Sequence, residues 1–217
     1  MHTCAMTPAE RPVEWAAYSR IFQTVYSFLV TERAEPERAC LFFALTGAEI
    51  LRRHHRIDAR PVAGAAFYKV NGDSDVLAIA QTISPGAESG ATRFHAWVQA
   101  GDWTIDFIAP LFPELLLSIG SAAQCERKMF QRRSSEAKCS ISDLASPGDF
   151  AHIENEELTV SLIQGFNARR AYVDILEICA NWYRRPPRKM LTALRVGDAR
   201  GNVKEVPLLE TDLTGAW

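Results

Sequence analysis

The amino-acid sequence predicts an α+β fold in which an antiparallel sheet packs against helices. Two early segments have apolar residues at helical spacing, the middle of the chain changes to the two-residue alternation of strands, and helical spacing then returns. Helices and strands that are segregated along the chain in this way are typical of an α+β arrangement. The chain has 217 residues and neither a repeat nor an evident linker, which predicts a single domain over residues 1–217.

The first two predicted helices cover residues 12–30 and 39–54. The first helix carries an apolar face that includes Phe22 and Val25. Pro36, in the polar segment between the helices, suits a first helical turn. The second helix is apolar around most of its circumference, which predicts that it is buried.

Four strands are predicted in the middle of the chain. Residues 61–70 and 76–81 flank a turn at 71–73. Residues 93–100 and 103–108 flank Gly101-Asp102, a two-residue connection of the hairpin type.

The rest of the chain is predicted in less detail. Residues 118–150 are polar and are expected to run over the surface, with a role that the sequence does not define. Helical spacing over about 154–184 is expected to break near residues 165–167. The final 25 or so residues are expected to add short strands whose place in the fold is not predicted.

Composition argues against several classes of partner. A net charge of −2 gives no electrostatic reason to expect nucleic acid or an anionic membrane surface. The apolar stretches are too short to span a bilayer, and residues 1–6 lack the basic start and apolar core of a signal peptide. The five cysteines have irregular spacings that predict neither a disulfide framework nor a CxxC zinc site: Cys4, Cys40, Cys125, Cys139 and Cys179. A reducing, cytoplasmic setting is therefore expected.

The hairpin around Gly101-Asp102 is the most informative part of the sequence. With this turn, one face of both strands is apolar, and His95 and Asp106 lie as diagonal neighbours on the other face. A carboxylate in that position can accept a hydrogen bond from one imidazole nitrogen and leave the other nitrogen for chemistry. A one-residue bulge would place the two residues on opposite faces.

Cys40 is the best-placed nucleophile for such an imidazole. It stands at the start of a helix, where unpaired N–H groups and the helix dipole favour a thiolate and could receive an oxyanion. Taken singly, each of the three residues more often has an ordinary role: an inert buried thiol, a histidine bound to a backbone carbonyl, or an exposed strand carboxylate. Their order along the chain and the strand parity together favour a Cys40–His95–Asp106 triad.

These residues resemble the pattern of the transglutaminase-like cysteine superfamily, which has a variant of the papain-like fold. The resemblance covers about residues 39–107 and is carried by four segments: helix-initial Cys40, the strand-opening residues 56–64, Phe94-His95-Ala96-Trp97-Val98-Gln99, and Trp103-Thr104-Ile105-Asp106. It implies a papain-like/transglutaminase-like cysteine proteinase fold, with Cys40 as nucleophile, His95 as general base and then acid, and Asp106 as the orienting residue. Several features depart from the pattern. Gln99 stands where many members have Glu, the loop from His95 to Asp106 is shorter than in many members, and the local Cys signature of papain is absent. Only Gln23 is a possible side-chain donor to an oxyanion.

The resulting functional hypothesis is a cysteine-dependent hydrolase or acyltransferase that acts on an amide or peptide, with no cofactor. Its partner is expected to be a small-molecule or peptide acyl substrate, with no nucleic acid and no membrane, and the sequence predicts no oligomeric state. The alternative is a non-catalytic binding or scaffold protein that keeps the fold. A metal site made of Cys40, His95 and Asp106 is disfavoured, because the sequence offers no clear fourth ligand.

Overall fold

The computed structural model describes residues 11–72, 76–79 and 94–217. The bounds of its helices are α1 (Trp15–Thr31), α2 (Cys40–Ile50), α3 (Phe112–Ser118), α4 (Glu156–Asn167) and α5 (Arg170–Trp182). The bounds of its strands are β1 (Arg60–Lys69), β2 (Val76–Ile79), β3 (His95–Ala100), β4 (Trp103–Asp106), β5 (Lys128–Arg133), β6 (Phe150–Glu154), β7 (Ala193–Gly197), β8 (Val203–Pro207) and β9 (Gly215–Ala216). The predictions for Cys4, for the start of the chain, and for the strand ends at 80–81 and 93 lie outside the described residues, as does part of the 71–73 turn.

The architecture is α+β, with a mixed sheet that packs against helices. Among the described residues the main sheet has the order β2-β1-β3-β4-β5-β9, and β6 also pairs with β1. Its pairs are antiparallel except β5–β9, which is parallel, so the predicted antiparallel sheet is correct for every pair but that one. β7 and β8 form a separate hairpin.

The core lies between this sheet and the first two helices. α2 packs against β1 and β3, and α1 packs against α2. Phe22 of α1 and Phe43 of α2 stack with ring centroids 5.7 Å apart, and both are fully buried. The predicted burial of α2 is confirmed, because apolar residues cover most of its surface and it meets neighbours on several sides.

α2 begins at Cys40, and the chain before it makes a short 3₁₀ turn at Pro36–Arg38 with proline in its first positions. This agrees with the predicted helix start at about residue 39. The helix ends in a wider π-type turn at Leu51–His55. At the C-terminal end of the chain, α4 and α5 separate at Ala168–Arg169, close to the predicted break at 165–167.

The prediction that residues 118–150 run over the surface was wrong. This segment contains β5, which lies between β4 and β9 in the sheet and buries Met129 and Phe130. Close after these two apolar residues come Arg132 and Arg133, which form ion pairs with acidic side chains. Because such charged residues make the segment polar on average, its buried strand was not predicted. The predicted helix start at 154 was also early, since β6 extends to Glu154 and the Asn155 side chain caps α4.

No helix among the described residues is long and apolar enough to cross a bilayer.

Replacing Gly165 with alanine is expected to raise the free energy of unfolding by about 0.5–1 kcal/mol. Gly165 lies inside α4 and is exposed, and among the described residues no atom outside the local helix backbone lies within 4 Å of the position that a Cβ would take. Chemical denaturation measures the change. Gly201→Ala is the matched control, because its φ of +82° strains any residue with a Cβ, and it should destabilise the protein. A loss of stability in Gly165→Ala would contradict this expectation.

Candidate functional site

The hairpin of β3 and β4 has the register that the sequence predicts. Val98 pairs with Ile105 and Ala100 with Trp103, and Gly101 has a φ of +59° in the turn. Since no bulge intervenes, the side chains of His95 and Asp106 meet: Nε2 of His95 lies 2.7 Å from Oδ2 of Asp106. Each residue is only 1% exposed. The predicted contact between the imidazole and the carboxylate is confirmed.

Asp106 is held by four hydrogen bonds from different parts of the fold. Its Oδ2 accepts from His95 and from the Tyr68 hydroxyl, at 2.7 Å each. Its Oδ1 accepts from the N–H of Ile108 at 3.2 Å, and its backbone carbonyl accepts from the Tyr18 hydroxyl. The carboxylate therefore has a fixed orientation, and its negative charge is stabilised by donors although it is removed from water.

Cys40 brings the thiol to this pair from the start of α2. No side chain caps the helix, so its first-turn N–H groups have no intrahelical partner and no capping side chain. The Cys40 thiol donates to the carbonyl oxygen of Phe94, the residue before His95, over 3.8 Å, and it is close enough to the His95 ring to raise the pKa of that imidazole. Because Nε2 of His95 binds Asp106, Nδ1 is the nitrogen that is left for the sulfur.

A close approach between α2 and the end of β4 helps to place Cys40 beside His95 and Asp106. The position that a Cβ would take on Gly47 of α2 is 2.3 Å from a ring carbon of Phe107, the residue after Asp106. Only glycine at this position lets the helix lie so near the strand. The approach fixes the distance between the helix that carries Cys40 and the strand that carries Asp106.

The electrostatics of the site favour a protonated His95. Burial lowers the pKa of His95, but the Asp106 charge and hydrogen bonds to Asp106 and Cys40 outweigh it and raise that pKa to about 10. The pKa values of Tyr68 and Tyr18 are raised well above 10.0, first by burial and then by the Asp106 charge, so both phenols stay protonated donors. The raised pKa therefore favours an imidazolium at His95 at neutral pH.

Sequence reasoning missed two residues that contact this group. Tyr68 was included in a predicted strand without a role, and His152 lies in a strand that was not predicted. Nε2 of His152 is 2.9 Å from the Tyr68 hydroxyl, and the two rings meet edge to face. The contact joins β6 to β1, and no local pattern signals a pairing between residues 84 positions apart.

The other polar residues that the sequence singled out lie outside this group, and most of them form hydrogen bonds elsewhere in the fold. Gln99 donates from its side chain to the Gly101 carbonyl and the Ser134 hydroxyl, which holds the hairpin turn. Gln23 lies in α1. The rings of His54 and His55 bind the Ala180 carbonyl and the Tyr183 hydroxyl, so both are satisfied by protein groups.

The four described cysteines are free thiols, and they differ in environment. Cys179 is buried, and burial raises its pKa. The pKa of Cys125 is raised to about 11 by burial and by the Glu114 charge. Cys139 is exposed. Within the described part of the chain, no group of three His, Cys, Asp or Glu side chains is arranged to hold a metal ion.

Comparison with known proteins identifies related chains without assigning an activity. The family described as "Protein of unknown function (DUF2026)" matches residues 14–217. The solved structure described as "The crystal structure of genomics APC5867" is similar to this chain, with 34% sequence identity, a TM-score of 0.84, and coverage of 98% of this chain and 100% of that one. No curated protein matches the sequence.

Proposed function

Because the chain belongs to the DUF2026 family, which is described only as proteins of unknown function, we propose its activity from the site: acyl transfer through a thioester on Cys40. In this proposal Cys40 is the nucleophile, His95 is the general base and acid, and Asp106 orients His95. The observation that carries it is the placement of Cys40 beside an imidazole that Asp106 holds: Nε2 of His95 binds Asp106 at 2.7 Å, and the Cys40 thiol donates to the carbonyl of Phe94, the residue before His95. Nucleophile, base and orienting group in hydrogen-bond reach of one another are the signature of covalent catalysis.

The reaction has two steps. In the resting site the proton of Cys40 is already on His95, which is an imidazolium, and the Cys40 thiolate attacks the carbonyl carbon of an amide or peptide. The bond from carbon to nitrogen breaks, the leaving amine takes the proton from His95, and the acyl group stays on sulfur as a thioester. Water or a second amine then attacks the thioester while His95 removes its proton, and the acid or the new amide leaves as Cys40 returns to a thiolate beside the imidazolium. The first-turn N–H groups of α2 are the proposed donors to the oxyanion.

The same geometry supports a transglutaminase-like variant of the papain-like fold. The nucleophile stands at the start of a buried helix that packs against β3, the strand that begins with His95. Asp106 ends the next strand of the same hairpin. Along the chain, α2 with Cys40 comes first, β3 with His95 second and β4 with Asp106 third. The resemblance implies this order, and the proposal for the fold rests on it.

Cys40 is expected to react with iodoacetamide at pH 6 at least about tenfold faster than Cys139. An ordinary thiol is under about 1% ionised at that pH, so exposed Cys139 reports the rate of an unassisted cysteine. Cys40 faces an imidazolium and a helix N-terminus, which together stabilise a thiolate. Mass spectrometry of the labelled peptides gives the two rates in one sample.

The advantage of Cys40 should disappear in His95→Ala. His54→Ala is the matched control, because it removes a histidine whose ring binds the Ala180 carbonyl instead, and it should leave the rate at Cys40 unchanged. Slow labelling of Cys40 in the folded wild-type protein would count against a nucleophilic role.

Burial of Cys40 favours the second candidate, a binding or scaffold protein with a silent site. The residue is only 7% exposed, and its thiol also lies near the Phe94 carbonyl. A thiol that reagents and substrates do not reach performs no acyl transfer. The labelling rate at Cys40 therefore separates the two candidates directly.

A further inference from the structure

The hydrogen bonds of the site continue beyond Asp106 to Tyr68 and His152. The Tyr68 hydroxyl lies 2.7 Å from Oδ2 of Asp106 and 2.9 Å from Nε2 of His152. Tyr68 comes from β1, and His152 from β6, which pairs with β1. The Tyr68 hydroxyl therefore links Asp106 to His152.

The direction of these bonds follows from the single proton on the phenol oxygen. If the Tyr68 hydroxyl donates to the Asp106 carboxylate, its oxygen must accept a hydrogen bond from the Nε2–H of His152. His152 is then neutral with its proton on Nε2, which leaves Nδ1 as an acceptor. If the proton of His152 were on Nδ1 instead, Tyr68 would donate to His152, and Asp106 would lose one donor.

The surroundings of His152 favour the first of these arrangements. Burial and the charge of His95 lower the pKa of His152 to about 3, so the ring is neutral. Within the described residues, the buried Nδ1 of His152 has no hydrogen-bond partner. An N–H at this position would be an unsatisfied buried donor, which is costly. The ring also stacks on Trp97 with centroids 4.2 Å apart, and Trp97 in turn lies parallel to the His95 ring.

We propose that Tyr68 and His152 are positioning residues of the Cys40 site: Nε2–H of His152 directs the Tyr68 hydroxyl onto Asp106, and this bond keeps the proton of the His95–Asp106 pair on His95. The inference rests on the proposed acyl-transfer function. A buried ion pair can neutralise itself by moving its proton to the carboxylate, because burial disfavours both charges. A donor to the carboxylate opposes that transfer by stabilising its negative charge. His95 then remains an imidazolium that faces Cys40.

Nitrogen NMR of ¹⁵N-histidine-labelled wild-type protein at pH 7 tests the proton positions without any substitution. His152 should carry its proton on Nε2, and both ring nitrogens of His95 should be protonated. Loss of signals in His95→Gln and His152→Gln assigns the two rings. A proton on Nδ1 of His152, or a neutral His95, overturns the proposal.

Substitutions then test the consequence for Cys40. Tyr68→Phe removes the donor to Asp106 and His152→Leu removes the donor to Tyr68; each should shift the His95 nitrogens toward neutral imidazole. Labelling of Cys40 by iodoacetamide at pH 6 should fall about tenfold in both. His152→Gln, whose side-chain amide can donate in place of Nε2–H, should keep most of the wild-type rate. Circular dichroism confirms that each variant is folded.

The two readouts separate the two proposals. If the wild-type NMR signals of His95 and His152 are as expected but wild-type Cys40 is labelled slowly, the acyl-transfer function is refuted and the proton positions are established. If Cys40 is labelled fast in the wild type and equally fast in folded Tyr68→Phe and His152→Leu, the positioning role is refuted and the acyl-transfer function stands. If both variants fail to fold, the wild-type NMR spectrum alone decides the proposal.

Discussion

Replacing Gly64 with alanine is expected to lower the free energy of unfolding by more than about 3 kcal/mol. The position that a Cβ would take on Gly64 is 2.0 Å from the carbonyl oxygen of Ile153 and 3.1 Å from Cα of Glu154. Both are backbone atoms of β6, so no side-chain rotation relieves the clash. The pairing between β1 and β6 must therefore open at this point.

The effect should also reach the catalytic candidates, because Gly64 pairs with both β3 and β6. It is opposite His95 on one strand and Glu154 on the other. A shift of β1 moves His95 relative to Cys40, and a shift of β6 moves His152 away from Tyr68. We expect Gly64→Ala to lose the fast labelling of Cys40 along with stability.

Gly72→Ala is the control for this substitution. Within the described part of the chain nothing lies within 4 Å of the Cβ position of Gly72, and its φ is not positive, so the change should be small and can be stabilising by about 0.4–1 kcal/mol. Urea denaturation of the two variants measures the contrast. Equal stabilities for Gly64→Ala and Gly72→Ala would mean that β6 does not approach β1 as closely as described.

The hairpin shows which part of the site could be predicted from sequence. Two strands joined by two residues have a fixed register, and the apolar face of each strand then determines which side His95 and Asp106 share. The position of Cys40 followed from helical spacing in the segment after Pro36. These are local sequence patterns. Such patterns specify well which face of a strand a side chain lies on and where a helix begins.

The pairing of β1 with β6 could not be predicted in the same way. β6 is short, and its sequence Phe150-Ala151-His152-Ile153-Glu154 directly precedes a helix with stronger periodicity. Its partner lies more than 80 residues earlier in the chain, and no turn joins them. The outer part of the site, Tyr68 with His152, depends on this long-range pair and was therefore missed.

Burial at β5 was missed because charged residues surround it. Met129 and Phe130 are the only strongly apolar residues of the strand, and Lys128, Arg132 and Arg133 flank them. Ion pairs of the two arginines with Glu136 and Asp102 let the strand lie inside the sheet while its ends stay solvated. Average polarity over a segment does not detect two buried side chains.

Replacing Asp106 with asparagine is expected to cost about 3–5 kcal/mol of unfolding free energy at pH 6. The substitution keeps the size of the side chain and removes its charge, which leaves the imidazolium of His95 buried without its counter-ion. Asp102→Asn in the same hairpin is the matched control. Asp102 is 64% exposed where it pairs with Arg133, and an exposed ion pair contributes no more than about 1 kcal/mol.

The cost of Asp106→Asn should decrease at alkaline pH. The pKa of His95 is raised from 6.5 to about 10 in the folded chain, so the folded state holds this proton more tightly than the unfolded state does. The stability from the charged pair is then fully present below pH 6.5 and is lost as pH rises through about 10. Urea denaturation of wild type and variant at pH 6, 8 and 10 measures the difference directly. A difference that stays constant over this range would mean that His95 binds Asp106 as a neutral imidazole, which lacks the charge that the proposed chemistry requires beside Cys40.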